Sequence, residues 1–191
     1  MYLIFDTETS GLPNKFLPPN DANQARVVQL AAVMLDSTYK EVASLNCLIR
    51  PEGFNISKEA ENIHGISKVK AMQFGVSSVS AIKLFVEFAK GAHKIIAHNI
   101  KFDKTLLDIE FSNHNITFAW MESKMFCTML STTNICKLPK KVNGGFKWPK
   151  LSEAYRHFFN EELVNGHDAL TDVRATARIF KHLVESKQIM A

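Results

Sequence analysis

Three groups of residues carry the chemistry this chain can offer. Asp6 and Glu8 stand two positions apart, just after the apolar run Tyr2–Phe5. Asp103 closes the segment His98-Asn99-Ile100-Lys101-Phe102-Asp103, and His167-Asp168-Ala169-Leu170-Thr171-Asp172 supplies a histidine and two further acids. Side chains alternate across a strand, so Asp6 and Glu8 share one side of it. Four carboxylates brought together repel one another, and their pKa values rise unless cations neutralise them. Two divalent cations supply about four positive charges, at the roughly 4 Å separation used in phosphoryl chemistry. Carboxylate, water and phosphate oxygens are the ligand set that Mg²⁺ prefers. His167 is the nearby group suited to take a proton from an attacking water, because imidazoles titrate near neutral pH.

Each group has a plainer reading when taken alone. Asp6 and Glu8 can simply end a strand. Asp103 can pair with Lys101 or Lys104, and His167 can be a loop histidine without a task. Asp172 can be a favourable charge near a helix N-terminus. Asp168 reads as a helix N-cap rather than a ligand, and His98 as a strand-end histidine with satisfied nitrogens. The functional reading rests on all three groups occurring together.

The elements that must position these residues follow from the pattern. Tyr2–Phe5 is apolar without alternation, as in a strand buried on both faces. Val27 to Leu35 and Glu41 to Ile49 read as two more strands, joined by the short polar stretch Asp36–Lys40 into a hairpin. Ser57 can cap a short helix ending before Gly65, and Ser77 or Ser78 a longer one ending at Gly91. Lys94 to Ala97 reads as a strand beside the first. Asn99 can cap the next helix, which places Asp103 one turn in with Phe102, Leu106 and Ile109 facing inward. Lys124 to Cys127 reads as a last strand, and Leu151 to Phe159 and Asp168 to Glu185 as the closing helices. A hairpin followed by helices alternating with strands implies an α/β fold with a mixed sheet.

The chain has 191 residues, 46% hydrophobic, enough for one substantial core. Its net charge of +4 permits a polyanionic partner without demanding one. Cys47, Cys127 and Cys136 form neither a CxxC pair nor a zinc-site spacing, which argues against a disulfide framework. The opening residues lack the basic stretch of a secretion signal, and the longest apolar run is too short for a bilayer. A soluble cytoplasmic protein is expected. Between Lys137 and Lys150 lie Lys140, Lys141 and Lys147, no acid, and Gly144-Gly145. This reads as a basic loop. Solvated charge is its ordinary meaning, and Phe146 and Trp148 between the lysines give it a strand-guiding one. Trp148 itself reads as a core anchor, because Pro149 and Leu151 lead from it into a helix.

In order, Asp6-x-Glu8, Asp103 within His98-Asn99-x-x-Phe102-Asp103, and His167-x4-Asp172 resemble the DEDDh, or DnaQ-like, 3′–5′ exonucleases. His64-Gly65-Ile66, Cys127-Thr128-Met129 and Lys147-Trp148-Pro149-Lys150-Leu151 extend the resemblance over nearly the whole chain. The last two segments look most like small stand-alone bacterial and phage members related to the proofreading epsilon subunit of the replicative polymerase. The resemblance implies an RNase H-like fold, a mixed five-stranded sheet flanked by helices, in a single exonuclease domain over residues 1–191. It implies Asp6, Glu8, Asp103 and Asp172 as ligands of two divalent cations, Mg²⁺ or Mn²⁺, and His167 as general base. It assigns Thr9, Leu12, His64 and Asn99 to substrate binding, with the backbone near Thr9 and the side chain of Leu12 on the terminal nucleotide. The implied reaction is hydrolysis of the last phosphodiester at a single-stranded or frayed 3′ end of DNA, releasing nucleoside 5′-monophosphates. An RNA-trimming enzyme is the alternative substrate reading, since only contacts to the 2′-OH separate the two. A polymerase-associated proofreading or binding subunit is the other alternative. A nucleic-acid 3′ end is the expected partner, a polymerase or a second copy of the chain the candidate protein partners, and no membrane is involved.

Overall fold

The computed structural model describes residues 1–140 and 144–189, so Lys141 of the basic loop lies outside the described residues. Five strands form one sheet: β1 (Tyr2–Thr9), β2 (Val27–Leu35), β3 (Glu41–Leu48), β4 (Lys94–Ala97) and β5 (Met125–Cys127). Their order is β3-β2-β1-β4-β5, which puts β1 in the middle. β1, β2 and β3 pair antiparallel, while β4 runs parallel to β1 and β5 parallel to β4. The hairpin between β2 and β3 closes on Asp36, whose Oδ1 accepts from the backbone of Thr38 and Lys40 at 2.8 and 3.1 Å.

Seven helices accompany the sheet among the described residues: α1 (Lys58–His64), α2 (Lys68–Phe74), α3 (Ser78–Lys90), α4 (Ile100–Asn113), α5 (Thr128–Cys136), α6 (Leu151–Phe159) and α7 (Ala169–Glu185). Ser57 caps α1, Ser77 caps α3 and Asp168 caps α7, each accepting from a backbone N–H in the first turn. Gly65 ends α1 at φ 69°, in the left-handed region that glycine adopts without strain. Two helices carry no clear signal in the sequence. α2 is only seven residues long and leaves Val69, Met72 and Phe74 exposed, so it shows no apolar stripe. α5 is rich in serine and threonine, which are weak helix formers. There Ser131, Thr132 and Thr133 return their hydroxyls to carbonyls one turn back, and packing holds the helix.

The alternation along β1 and β2 divides the core into two layers. Leu3 and Phe5, with Leu30 and Ala32, pack against Ile82 and Phe85 of α3 and Leu106 and Leu107 of α4. Ile4, Ala31 and Val33 face Ala169, Val173, Ala177 and Phe180 of α7. Full burial of side chains this size contributes roughly 1.5–3 kcal/mol each, which fixes α4 and α7 on opposite faces of β1. No helix among the described residues is long and apolar enough to cross a membrane.

One buried charge stands apart from the catalytic candidates. The Glu110 side chain on α4 is fully buried and receives Arg26 Nε and Nη2 at 2.8 and 2.7 Å, Val27 N–H at 3.0 Å and Ser78 Oγ at 2.6 Å. Burial pushes this carboxyl up, yet the bonds from His114, Arg26 and Ser78 together outweigh it and hold the pKa at about 2. The network joins β2, α3 and α4.

Candidate active site

β1 delivers its two acids to the α7 face, because Asp6 and Glu8 share the side of the strand that carries Ile4. Thr7, between them, turns to the α4 side. β4 pairs with β1 only as far as Ile4, opposite Ile96. Beyond that point Thr7 donates its N–H and its hydroxyl to Asp103 Oδ1, at 3.1 and 2.8 Å. Asp103, 2% exposed on α4, is thereby held at the strand end from the opposite layer.

Asp172 arrives from α7. Asp168 Oδ1 accepts from Thr171 N–H at 3.0 Å, so Asp168 is the helix cap. Gln29, directly opposite Glu8 in the β1–β2 register, donates to Asp168 Oδ2 at 3.0 Å and accepts from Ala169 N–H at 3.2 Å. This side chain ties the start of α7 to the sheet beside the two acids of β1. His167 N–H donates to Asp172 Oδ2 at 3.1 Å, and His167 itself is exposed at φ 67°. Glu8, His167 and Asp172 each bring a potential ligand atom within 4.8 Å of the other two.

The electrostatics separate the cap from the cluster. At Asp168 burial is outweighed by the bonds from Gln29 and Thr171, and the carboxyl sits below its usual range. The other four sit above theirs. Burial raises Asp6 well above the ordinary value, with Asp103, Asp172 and Glu8 adding to it. Burial and the charges of Asp172 and Asp103 lift Glu8 to about 8. Asp103 lies at about 7, where burial exceeds the lowering by Thr7, and Asp172 is raised chiefly by burial against the His167 N–H. Asp172 Oδ1 is buried with no hydrogen-bond partner. None of the four is ion-paired to a lysine or arginine among the described residues. A hard oxygen donor set, repelling and partly unsatisfied, suits divalent cations.

Beside the acids opens a cleft of about 330 Å³, lined by Thr9, Leu12, Ala60, Ile63, His64 and Phe102 together with Thr7 and Glu8. Leu12 is 83% exposed and free to meet a ligand. His64 Nδ1 accepts from Ile66 N–H at 3.0 Å, so in the neutral ring the proton resides on Nε2, 3.2 Å from the Thr9 carbonyl. Burial lowers the pKa of His64 and favours that neutral form. Thr9, Leu12 and His64 thus meet in one cleft. Asn99 does not line it, nor does it cap α4: at φ 72° and ψ 47° its side chain makes no capping bond. Capping requires an extended backbone that points the side chain at the first-turn N–H groups. Phe102 is half-buried: it packs against the core as its spacing predicts and also lines the cleft. A larger cleft, about 510 Å³, lies along α6 and α7, where Arg174 and Arg178 are engaged by Glu41 and Glu161; it includes none of the four acids.

Several residues that shape the site give little sequence signal. Gln29 shows only as one polar residue in a nine-residue buried strand. Thr7 is hidden between the two acids, and Ile63 and Phe102 look like ordinary core positions.

Known proteins share this architecture. The chain is 27% identical over 98% of its length to the DNA polymerase III PolC-type of Caldanaerobacter subterraneus subsp. tengcongensis, of which it spans 12%. The zinc-bound form of E. coli exonuclease I with single-stranded DNA superposes with a TM-score of 0.72 at 20% identity, over 97% of this chain and 40% of that one. Exonuclease X in complex with 5′ overhanging duplex DNA superposes with a TM-score of 0.67 at 23% identity, over 100% of this chain and 95% of that one. The mixed sheet and its helices are the RNase H-like fold of these exonucleases. The family model RNase_T, described as an exonuclease, matches residues 3–180, and the chain belongs to that family.

Proposed function

We propose that this chain is a metal-dependent 3′–5′ exonuclease that removes nucleotides from single-stranded or frayed 3′ ends of DNA as nucleoside 5′-monophosphates. Residues 1–191 act as one exonuclease domain in this reading. The observation that carries it is the gathering of Asp6, Glu8, Asp103 and Asp172, all with raised pKa values, around the unpartnered Asp172 Oδ1. When bound there, two Mg²⁺ or Mn²⁺ ions would neutralise the carboxylates and polarise the phosphodiester.

The chain's own residues do the rest. Thr7 fixes the orientation of Asp103, and the His167 N–H fixes that of Asp172. The exposed His167 imidazole takes the proton from the water that attacks the terminal phosphorus. The bond from phosphorus to the 3′ oxygen breaks, and that oxygen stays with the shortened strand. The departing nucleoside rests on the apolar walls formed by Leu12, Ile63 and Phe102. His64 steadies the Thr9 carbonyl beside it.

The test is release of labelled mononucleotide from a 3′-labelled oligonucleotide, with Mg²⁺ or with EDTA. Wild type releases product only with the cation, while Asp6→Asn and His167→Ala do not. Full activity of either variant overturns these roles. Matched DNA and RNA oligonucleotides decide the sugar preference. The match to a segment of a PolC-type polymerase favours a second reading, in which the same reaction proofreads a polymerase product.

A further inference from the structure

The chain holds two tryptophans in opposite situations. Trp120 is packed among Phe5, Phe85, Phe111 and Phe118, and its Nε1 donates to Asp108 at 2.7 Å. Trp148, expected in the core, is 65% exposed and has no aromatic partner among the described residues. Its neighbours explain this. Pro149 is the buried residue of the stretch, and its carbonyl is 3.0 Å from His98 Nε2. Thr128 Oγ lies 3.0 Å from the other ring nitrogen, and burial lowers the His98 pKa, so the neutral ring receives from Thr128 and donates to Pro149. On the other side Lys147 is ion-paired to Glu153 at 2.5 Å, and Glu153 also accepts from Lys150 N–H at 2.8 Å. The backbone is therefore pinned before and after Trp148, while its indole is left open to solvent.

The location is specific. Asp6 and His98 each lie two residues beyond the paired Ile4 and Ile96 on adjacent parallel strands. β4 and β1 run parallel, so His98, just past the C-terminal end of β4, stands at the same end of the sheet as Asp6 and Glu8, and the anchor of Trp148 is at that end. Phe146 is also exposed, at 37%. Lys137, Lys140 and Lys150 are exposed and without an ion pair among the described residues. A rigidly held open aromatic among free cations fits an unpaired base on a polyanionic backbone.

We propose that Trp148 is a stacking platform for an unpaired base of the substrate strand, upstream of the terminal nucleotide. This rests on the exonuclease reading for the identity of the strand. Binding is measured in EDTA, where no hydrolysis occurs, by fluorescence anisotropy of a labelled oligothymidylate and by Trp fluorescence. The wild type binds with quenching that Trp148→Phe lacks. Trp148→Ala, a surface change, weakens binding by about 5- to 100-fold, and Trp148→Phe recovers most of that loss. Wild-type affinity in Trp148→Ala overturns the platform, as does binding without quenching or no binding by the wild type. Quenching and weakened Trp148→Ala binding in a protein that releases no mononucleotide with Mg²⁺ uphold the platform and reject the exonuclease reading.

Discussion

The backbone N–H of His167 donates to Asp172 Oδ2, leaving Oδ1 of the same carboxylate buried and unpartnered. The four residues between them contain the cap of α7, so the helix start sets their separation. One short segment thus exposes an imidazole and presents a carboxylate oxygen to Asp6 and Glu8.

Asp172→Asn removes one acid from a cluster of four that repel one another when deprotonated. In EDTA this variant melts at a higher temperature than wild type, because the relief of like-charge repulsion is kept. With Mg²⁺ it loses activity by at least about a hundredfold. Thermal melts and the labelled-oligonucleotide assay on the same preparation read both effects. A lower melting temperature in EDTA contradicts the repulsion argument.

Raised carboxyl pKa values give a definite sign to the pH dependence. A group raised on folding contributes stability below its unfolded pKa, near 4, and loses that contribution as pH rises through its folded value. Asp103 lies at about 7 and Glu8 at about 8, so the cation-free protein loses this stability as pH climbs between about 4 and 8. Cations bind only the deprotonated acids and offset the loss. Saturating Mn²⁺ should therefore raise the melting temperature more at about pH 8 than at about pH 5.5. An equal rise at both pH values argues against a carboxylate site.

His64 acts through its two bonds to the main chain at Thr9 and Ile66. His64→Ala frees the Thr9 carbonyl at the cleft wall and should lower kcat/KM by roughly ten- to a hundredfold. His64→Gln, which can still donate to that carbonyl, should recover part of the loss. If neither variant changes kinetics, the cleft does not hold the terminal nucleotide.

Arg26→Met leaves Glu110 buried without its main partner and should cost about 3–5 kcal/mol of stability. Glu110 is lowered on folding to about 2, so its contribution is present above the unfolded value of 4.5 and is lost as pH falls from there toward 2. Urea unfolding at about pH 7 and pH 3 should show the wild type approaching Arg26→Met at the lower pH. A constant gap between them excludes this linkage.

The strands, the hairpin, the Ser57 and Asp168 caps and the order of the acidic groups were legible in the sequence, because each is written in local chemistry: apolar runs, turn residues, capping side chains. The short α2 was not, because its Ser67 cap comes without an apolar stripe, and the threonine-rich α5 was not, because packing rather than propensity forms it. The cap assigned to Asn99 failed because backbone conformation, not residue type, decides whether a side chain reaches the first-turn amides. Trp148 failed as a core anchor because exposure is a property of the surrounding surface, and Pro149 took the buried place.

What the sequence by itself determined was which acids exist and on which element each stands. Only the tertiary structure decided that Thr7 draws Asp103 to the end of β1, that Gln29 fastens α7 beside Glu8, and that one oxygen of Asp172 is left without a partner. Those are contacts between residues 96 to 140 positions apart in two of the three cases. No local pattern encodes them; they follow from packing two helices on opposite faces of one strand.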